Sequence, residues 1–293
     1  MAKWTAADIP DQTGRTAVVT GANSGLGLVT ARALAKAGGR VILACRDIEK
    51  GRRAAATMPG TVEVRALDLA NLASIRTFAE SVTEDVDLLI NNAGVMAVPH
   101  RRTADGFEMQ FGTNHLGHFA LTGLLLPKLK DRVVTLSSSV HGVGRINLDD
   151  LNRESRGYMR WPAYAQSKLA NLLFTFELTN RLKAAGSKLT AYSAHPGYAS
   201  TNLQSHTETF MDNIMSLGNR LIAQSAAMGA LPTLYAATAD IEPGSFAGPG
   251  GFMGQRGYPK VVGSVRAARD PKVAKALWDK SEERTHVSYR LNA

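Results

Sequence analysis

Short apolar runs alternate along this chain with longer segments whose apolar residues recur every three or four positions. The runs at 16–20, 40–45, 61–67, 86–90, 132–136 and 189–194 are too short for amphipathic helices and read as strands, with a last short strand at 245–247. Between them lie segments of helical period. The first carries Leu28, Ala31, Leu34 and Ala35, and others fall at 48–57, 75–82, 103–129, 226–239 and 271–278. The most regular spans 161–182, where Leu169, Leu172, Leu173, Phe176 and Leu182 mark one face. The pattern loosens at 202–224, where Met211, Ile214, Met215, Leu217 and Leu221 suit a lid over an apolar ligand or equally a helix packed on the core. Strands separated by helices in this way build a parallel, doubly wound sheet with right-handed crossovers.

Composition narrows the class. At 44% hydrophobic and 20% charged residues, the chain can bury a substantial core. With 293 residues and no low-complexity linker it reads as one domain over 1–293, decorated by the 202–224 lid and a C-terminal extension from about 250. No apolar run is long enough to span a bilayer, and the first residues lack the apolar core of a signal peptide, so a soluble cytoplasmic protein is expected. The lone Cys45 excludes an intrachain disulfide framework and a cysteine-based zinc cluster. A net charge of +9 points to an anionic partner, but the basic residues are scattered and no nucleic-acid motif accompanies them, which favours a phosphorylated small molecule over nucleic acid.

Chemistry gathers where the strands end. The first strand runs into Gly21-Ala22-Asn23-Ser24-Gly25-Leu26-Gly27 and then a helix. Such a glycine turn lets a pyrophosphate approach the free amides and dipole of a helix N-terminus. The second strand ends in Cys45-Arg46-Asp47, the place where a dinucleotide site holds either a ribose hydroxyl through an acid or a 2′-phosphate through an arginine. The third ends at Asp68-Leu69, where Asp68 can accept from an adenine amino group or N-cap the helix that starts near Asn71. The fourth ends in Asn91-Asn92-Ala93-Gly94, small and amide residues that let a ligand lie close. Three hydroxyls, Ser137 to Ser139, close the fifth, without the G-x-S-x-G elbow of a serine hydrolase. His115 and His118 share a helix face, but with no third ligand in view they read as interface residues and no metal site is expected.

On the 161–182 helix, Tyr164 and Lys168 stand four residues apart and so share a face. A tyrosine of ordinary pKa about 10 becomes an acid–base catalyst near neutrality when a fixed cation stabilises its phenolate. Tyr158 competes, but position 162 is Pro, so it has no lysine in register.

The glycine spacing T-G-x-x-x-G-x-G, the N-N-A-G after D-x-L-I, the Ser cluster and Tyr164-x-x-x-Lys168 together resemble the short-chain dehydrogenase/reductase family over roughly residues 14–240. The long segment between Ser138 and Tyr164 resembles the retinol dehydrogenase-like and protochlorophyllide reductase-like subgroup. The resemblance implies a Rossmann-like α/β fold, a doubly wound parallel sheet in three layers α/β/α. It implies hydride transfer between a nicotinamide and an alcohol, aldehyde or ketone, with Asn114, Ser138, Tyr164 and Lys168 as the catalytic set. The Asn114 carbonyl would hold a water that links Lys168 to solvent. Cofactor contacts would come from Gly21, Asn23, Ser24, Gly25, Leu26, Gly27, Arg46, Asp68, Leu69, Asn91, Ala93, Gly94, Tyr164 and Lys168, with Pro196, Gly197 and Thr201 around the nicotinamide carboxamide. Cys45 replaces the acid usual in NAD-preferring members and Arg46 follows it, so NADP(H) is expected over NAD(H). Family members often pair the helices that correspond to 103–129 and 161–185, which leaves a homo-oligomer open. An epimerase or dehydratase of the same fold, and a nucleotide-sensing module without catalysis, are the alternative functions.

Overall fold

In the computed structural model, which describes residues 3–155, 157–198 and 224–291, eight strands form one sheet. They are β1 (Thr16–Thr20), β2 (Arg40–Cys45), β3 (Val62–Ala66), β4 (Val86–Asn91), β5 (Leu129–Leu136), β6 (Thr190–Ala194), β7 (Phe246–Pro249) and β8 (Pro259–Val261), in the order β3-β2-β1-β4-β5-β6-β7-β8. Every neighbouring pair is parallel except β7 with β8, which is antiparallel. The chain starts at β1, winds out to β3, then returns to β4 on the other side. The C-terminal ends of β1 and β4 therefore face a crevice, the place where open sheets of this kind bind ligands.

Apolar runs without alternation follow from burial on both faces. Val18, Ile42, Leu89 and Val133 belong to one core layer, and their neighbours Val19, Leu43, Leu88 and Val134 to the opposite one. The second layer is closed by helices α1 (Gly25–Lys36) and α6 (Ala226–Thr238), through Ala31, Leu34, Ala230 and Leu234. The first is closed by α3 (Leu72–Ser81), α4 (Gly117–Leu125), α5 (Arg160–Ala184) and α7 (Pro271–Thr285), through Phe78, Phe119, Phe174 and Trp278. The result is the expected three-layer fold. Each Val, Leu, Ile or Phe side chain among these that is withdrawn from water stabilises it by about 1.5–3 kcal/mol.

Three boundaries differ from the sequence expectation. The helix expected over 103–129 begins only at Met109, because Gly106 takes φ +82° in a turn and Glu108 then caps the helix by accepting from the amides of Gln110 and Phe111. It ends at Leu125, since Pro127 has no amide to continue the ladder, and the chain passes through the turn Leu126–Lys128 straight into β5 at Leu129. β8 was not expected, being three residues long with Lys260 and Val261 exposed.

The C-terminal helix docks on the first core layer. Trp278 stacks on Phe174 with centroids 5.8 Å apart, Ser281 Oγ lies 2.9 Å from His115 Nε2, and the Tyr289 hydroxyl donates to the Phe119 carbonyl at 2.7 Å. Of the expected lid, all but Gln224 lies outside the described residues, as does Thr201.

Candidate active site

The glycine turn shows why only glycine fits. Gly21 and Gly25 have φ of +65° and +57°, the left-handed region. A Cβ on Gly27 would lie 2.5 Å from Asn92 Nδ2 and 2.6 Å from the Gly21 carbonyl oxygen. Ser24 stands at the N-cap of α1 but its side chain accepts no cap hydrogen bond, so the first amides of the helix remain open to an anion. Asn23, Leu26 and Gly94 are partly exposed along the same rim.

At the end of β2, Asp47 is occupied as the N-cap of α2 (Ile48–Ala55), where it accepts from the Lys50 amide at 2.9 Å. Arg46 is exposed beside it. The expected choice for Asp68 is corrected on one point. Asn71 caps α3, accepting from Ala73 and Ser74, whereas Asp68 Oδ1 accepts from Ala70 within its own turn and leaves Oδ2 for another donor. Leu69 is buried, with its carbonyl against Gly117.

The four residues after β4 divide their work. The Asn91 side chain points into the protein, where Nδ2 donates to Thr122 at 3.0 Å and Thr135 at 3.3 Å, so it offers no side-chain donor to the crevice. The amides of Asn92 and Ala93 both donate to Thr20 Oγ1 at 2.9 Å, and His118 Nε2 meets the same oxygen at 2.9 Å. His118 Nδ1 meets the Asn114 carbonyl at 3.0 Å. A carbonyl only accepts, so the proton resides on Nδ1, and Nε2, at 2.9 Å a nearer acceptor than the Ile90 carbonyl at 3.4 Å, accepts from the Thr20 hydroxyl, whose lone pairs take the two amides. A neutral imidazole is required, and burial pushes His118 down to about 4. This joint between β1, β4 and the helix at 109–125 has a weak sequence signal, since His118 reads as an ordinary interface histidine.

Asn114 lies in a π-helical segment, Gly112–Leu116, whose flanking glycines permit the wider turn. A Cβ on Gly117 would meet the Leu69 carbonyl oxygen at 2.4 Å, and one on Gly112 would meet Thr103 Cγ2 at 2.6 Å. The Asn114 side chain clamps Val95 by accepting from its amide and donating to its carbonyl, and also donates to Ser167 Oγ at 2.9 Å. One lone pair of its own carbonyl belongs to His118.

Three adjacent serines leave one candidate facing the tyrosine. Ser137 Oγ is buried and donates to the Lys168 carbonyl at 2.8 Å, while Ser139 opens a short 3-10 turn. Ser138 lies near enough to Tyr164 to favour its ionised form, while its Oγ accepts from the Val140 amide at 3.3 Å. Tyr164 and Lys168 are 5% exposed, and the Lys168 ammonium lies 5.7 Å from the Tyr164 ring centroid. Their electrostatics differ from the expectation that the lysine lowers the tyrosine. Burial pushes Tyr164 up to about 12, with Ser138 pulling the other way, and burial pushes Lys168 down to about 8. For both groups desolvation is the larger effect. Lys168 uses one of its three donors, on the Leu136 carbonyl at 3.2 Å, so two buried N–H groups suit ribose hydroxyls. The residues present thus fit a dinucleotide. Tyr158 is engaged elsewhere, accepting from Gln110 Nε2 at 2.7 Å and donating to the Val98 carbonyl at 2.9 Å.

Beyond β6, Pro196 and Gly197 form a turn, with Gly197 at φ +64° and its amide on His195 Nδ1 at 3.3 Å. His115 and His118 are each held by protein partners, and among the described residues no cluster could hold a metal ion. Beside Tyr164 lies a cavity of about 400 Å³ lined by Val140, Val143, Arg145, Arg153, Trp161 and Pro162. The sequence marks this stretch only as a loop bordering the pocket; the chain fold brings Arg153 and Trp161 together.

Buried histidines give a pH prediction. Burial holds His115 near 3 and His118 and His195 near 4, against about 6.5 when unfolded. Between those values the unfolded chain binds more protons, so stability is full above pH 6.5 and falls as pH drops towards 4, by several kcal/mol in total on the scale of about 1.4 kcal/mol per unit. Denaturant melts across that range should show the loss, and a flat profile would contradict it.

Fold and site together define the class: residues 15–212 match the short chain dehydrogenase family, and the chain belongs to it. It is an oxidoreductase of that family, which works with nicotinamide dinucleotides. Among similar proteins, human retinol dehydrogenase 13 is 46% identical over 284 residues, covering 92% of this chain and 83% of its own, and mouse retinol dehydrogenase 12 is 44% identical with 92% and 86% covered. A crystal structure of a putative uncharacterized protein from Mycobacterium paratuberculosis is 55% identical, with a TM-score of 0.87, covering 99% of this chain and all of that one. Among the described residues no helix is long and apolar enough to cross a membrane.

Proposed function

We propose that this chain is an NADP(H)-dependent oxidoreductase that interconverts an apolar alcohol and its aldehyde or ketone. The meeting of Ser138, Tyr164 and Lys168 beside a largely apolar cavity carries the reading. When bound, the dinucleotide supplies or accepts hydride at its nicotinamide. The Ser138 hydroxyl then hydrogen-bonds the carbonyl oxygen, and Tyr164 gives that oxygen its proton as charge develops there. A tyrosine held near 12 is fully protonated at neutral pH, which suits it to donate. Lys168 holds the ribose with its unused donors, and its charge favours proton release from Tyr164. Asn114 fixes the loop at Val95 and supports proton resupply through its carbonyl. The apolar alcohol in the name of the retinol dehydrogenases accords with the Val140, Val143, Trp161 and Pro162 walls. Buried, free Cys45 accords with a reducing cytoplasm.

The cofactor preference rests on Arg46, because Asp47 is occupied as a helix cap. Arg46→Asp should raise the KM for NADPH about tenfold or more, the worth of a charge-assisted hydrogen bond, while NADH gains. The test is NADPH and NADH kinetics against a panel of apolar aldehydes and ketones. Equal use of both cofactors by the wild-type and variant enzymes would remove Arg46 from the site.

A further inference from the structure

The cavity beside Tyr164 is not uniformly apolar. Val140, Val143, Trp161 and Pro162 form its apolar walls, and the other two lining residues are Arg145 and Arg153, with no acid among the six. The cavity adjoins the reacting groups at two points. The Trp161 ring stands edge-on to Tyr164 with centroids 6.2 Å apart, and the Val140 amide donates to Ser138 Oγ at 3.3 Å.

Several surface arginines meet acids, as Arg52 meets Glu49, Arg102 meets Glu154 and Arg181 meets Glu177, and others meet hydroxyl or carbonyl oxygens, as Arg32 meets Thr57 and Arg76 the Thr285 carbonyl. The two at the cavity form no such ion pair among the described residues. Arg145 is exposed and pairs with no acid among the described residues. Arg153 has one hydrogen bond, from Nη1 to Gln166 Oε1 at 3.3 Å, and its Nε is buried without a partner. Glu154, next in sequence, pairs with Arg102. Asp150 accepts three hydrogen bonds from Glu154 and Ser155, and the Ser155 hydroxyl, with a smaller share from the charge of Arg153, holds its carboxyl below the ordinary range. Arg153 also adopts φ +57°, a left-handed conformation that is unfavourable for a residue with a Cβ. A strained backbone that presents an under-used guanidinium to a cavity beside the reacting groups is a recurrent feature of ligand clamps.

We propose that the substrate is an amphiphile, with a carbonyl or alcohol at one end and a carboxylate or phosphate at the other, whose anionic end is held by Arg145 and Arg153. The proposal rests on the oxidoreductase reading and adds the charged end to it. Guanidinium groups match both anions through paired N–H donors, and the apolar walls between them and Tyr164 suit a hydrocarbon chain. A volume of about 400 Å³ is within the usual range for a small-molecule site.

The test compares 12-oxododecanoic acid with its methyl ester in the NADPH-dependent reaction of the full chain. The acid is expected to have the higher kcat/KM by about tenfold or more, the worth of charge-assisted hydrogen bonds. The double variant Arg145→Gln, Arg153→Asn should bring that ratio close to one, chiefly through KM for the acid. Asn tolerates the left-handed backbone at 153, so the variant is not expected to unfold. An ester used as well as the acid by the wild-type enzyme, or an undiminished preference in the variant, would overturn the proposal. If neither compound turns over, the oxidoreductase reading fails separately, and calorimetric titration of the NADPH-bound protein decides the anion site. Laurate binding reports a carboxylate site and dodecyl phosphate binding a phosphate site, each expected to outbind dodecanol and to be lost in the double variant. Binding of neither anion, or binding that survives the variant, overturns the proposal.

Discussion

Replacing Tyr164 with Phe should lower turnover by about 10²–10⁴-fold, the usual contribution of a positioned general acid, while NADPH affinity stays within a few-fold of wild type. The ring is buried in α5 and its edge packs against Trp161, so removing the hydroxyl leaves the packing in place. What is lost is the proton, together with the hydroxyl that stands near Ser138. A loss confined to kcat is the signature of an interaction made at the reacting centre. Ser138→Ala tests the same pair from the other side. Single-turnover rates with saturating NADPH measure both, and substantial turnover by the phenylalanine variant would remove Tyr164 as the proton donor.

The second large effect is expected at Gly27. A valine there would drive its Cβ towards Asn92 Nδ2 and the Gly21 carbonyl oxygen, at 2.5 Å and 2.6 Å. The amide cannot swing aside freely, because Nδ2 donates to the Thr20 carbonyl at 2.7 Å, and the Gly21 oxygen belongs to the main chain. Relief therefore requires α1 to move off the glycine turn. Overpacking of this kind costs about 1–3 kcal/mol. The same displacement moves the helix N-terminus that would bind the pyrophosphate, so NADPH affinity should fall by about ten- to a hundredfold. Gly186→Asn is the control, since nothing lies within 4 Å of the Gly186 Cβ position and Asn tolerates its φ of +64°. Thermal melts and NADPH titrations of both variants give the comparison. A Gly27→Val protein that binds NADPH like wild type would show that this turn does not hold the cofactor.

Much of the architecture was legible because buried parallel strands leave an unmistakable mark. Val18 and Val19 face opposite layers and are both buried, so the strand carries no polar alternation. Less legible were the features set by tertiary contact. The 109–125 helix starts and stops where Glu108 caps it and Pro127 interrupts it, although the apolar pattern runs on past both. β8 is too short and exposed to carry a period.

The site divides in the same way. The glycines, Tyr164 and Lys168 lie at positions whose local spacing shows what they can do, whereas Ser138 is singled out from Ser139 only by the family resemblance. Asn91 is expected among the cofactor contacts, and because the pleat points alternate residues into the core its side chain is turned towards Thr122 and Thr135, leaving the main chain to face the crevice. The tyrosine's pKa could not be read from spacing at all. Four residues on a helix put the lysine on the right face, but whether charge or burial prevails depends on distance and solvent, and here burial prevails. The Thr20–His118–Asn114 joint and the Arg145–Arg153 pair are likewise products of the fold.

The most direct measurement follows the hydride. NADPH carrying deuterium at the transferable C4 position is incubated with the enzyme and an apolar aldehyde, and the alcohol is weighed by mass spectrometry. One deuterium is expected on the former carbonyl carbon, with label in the product lost in step with turnover in Tyr164→Phe. Bound cofactor that passes no deuterium to any carbonyl in the panel would contradict hydride transfer at the Ser138–Tyr164 site.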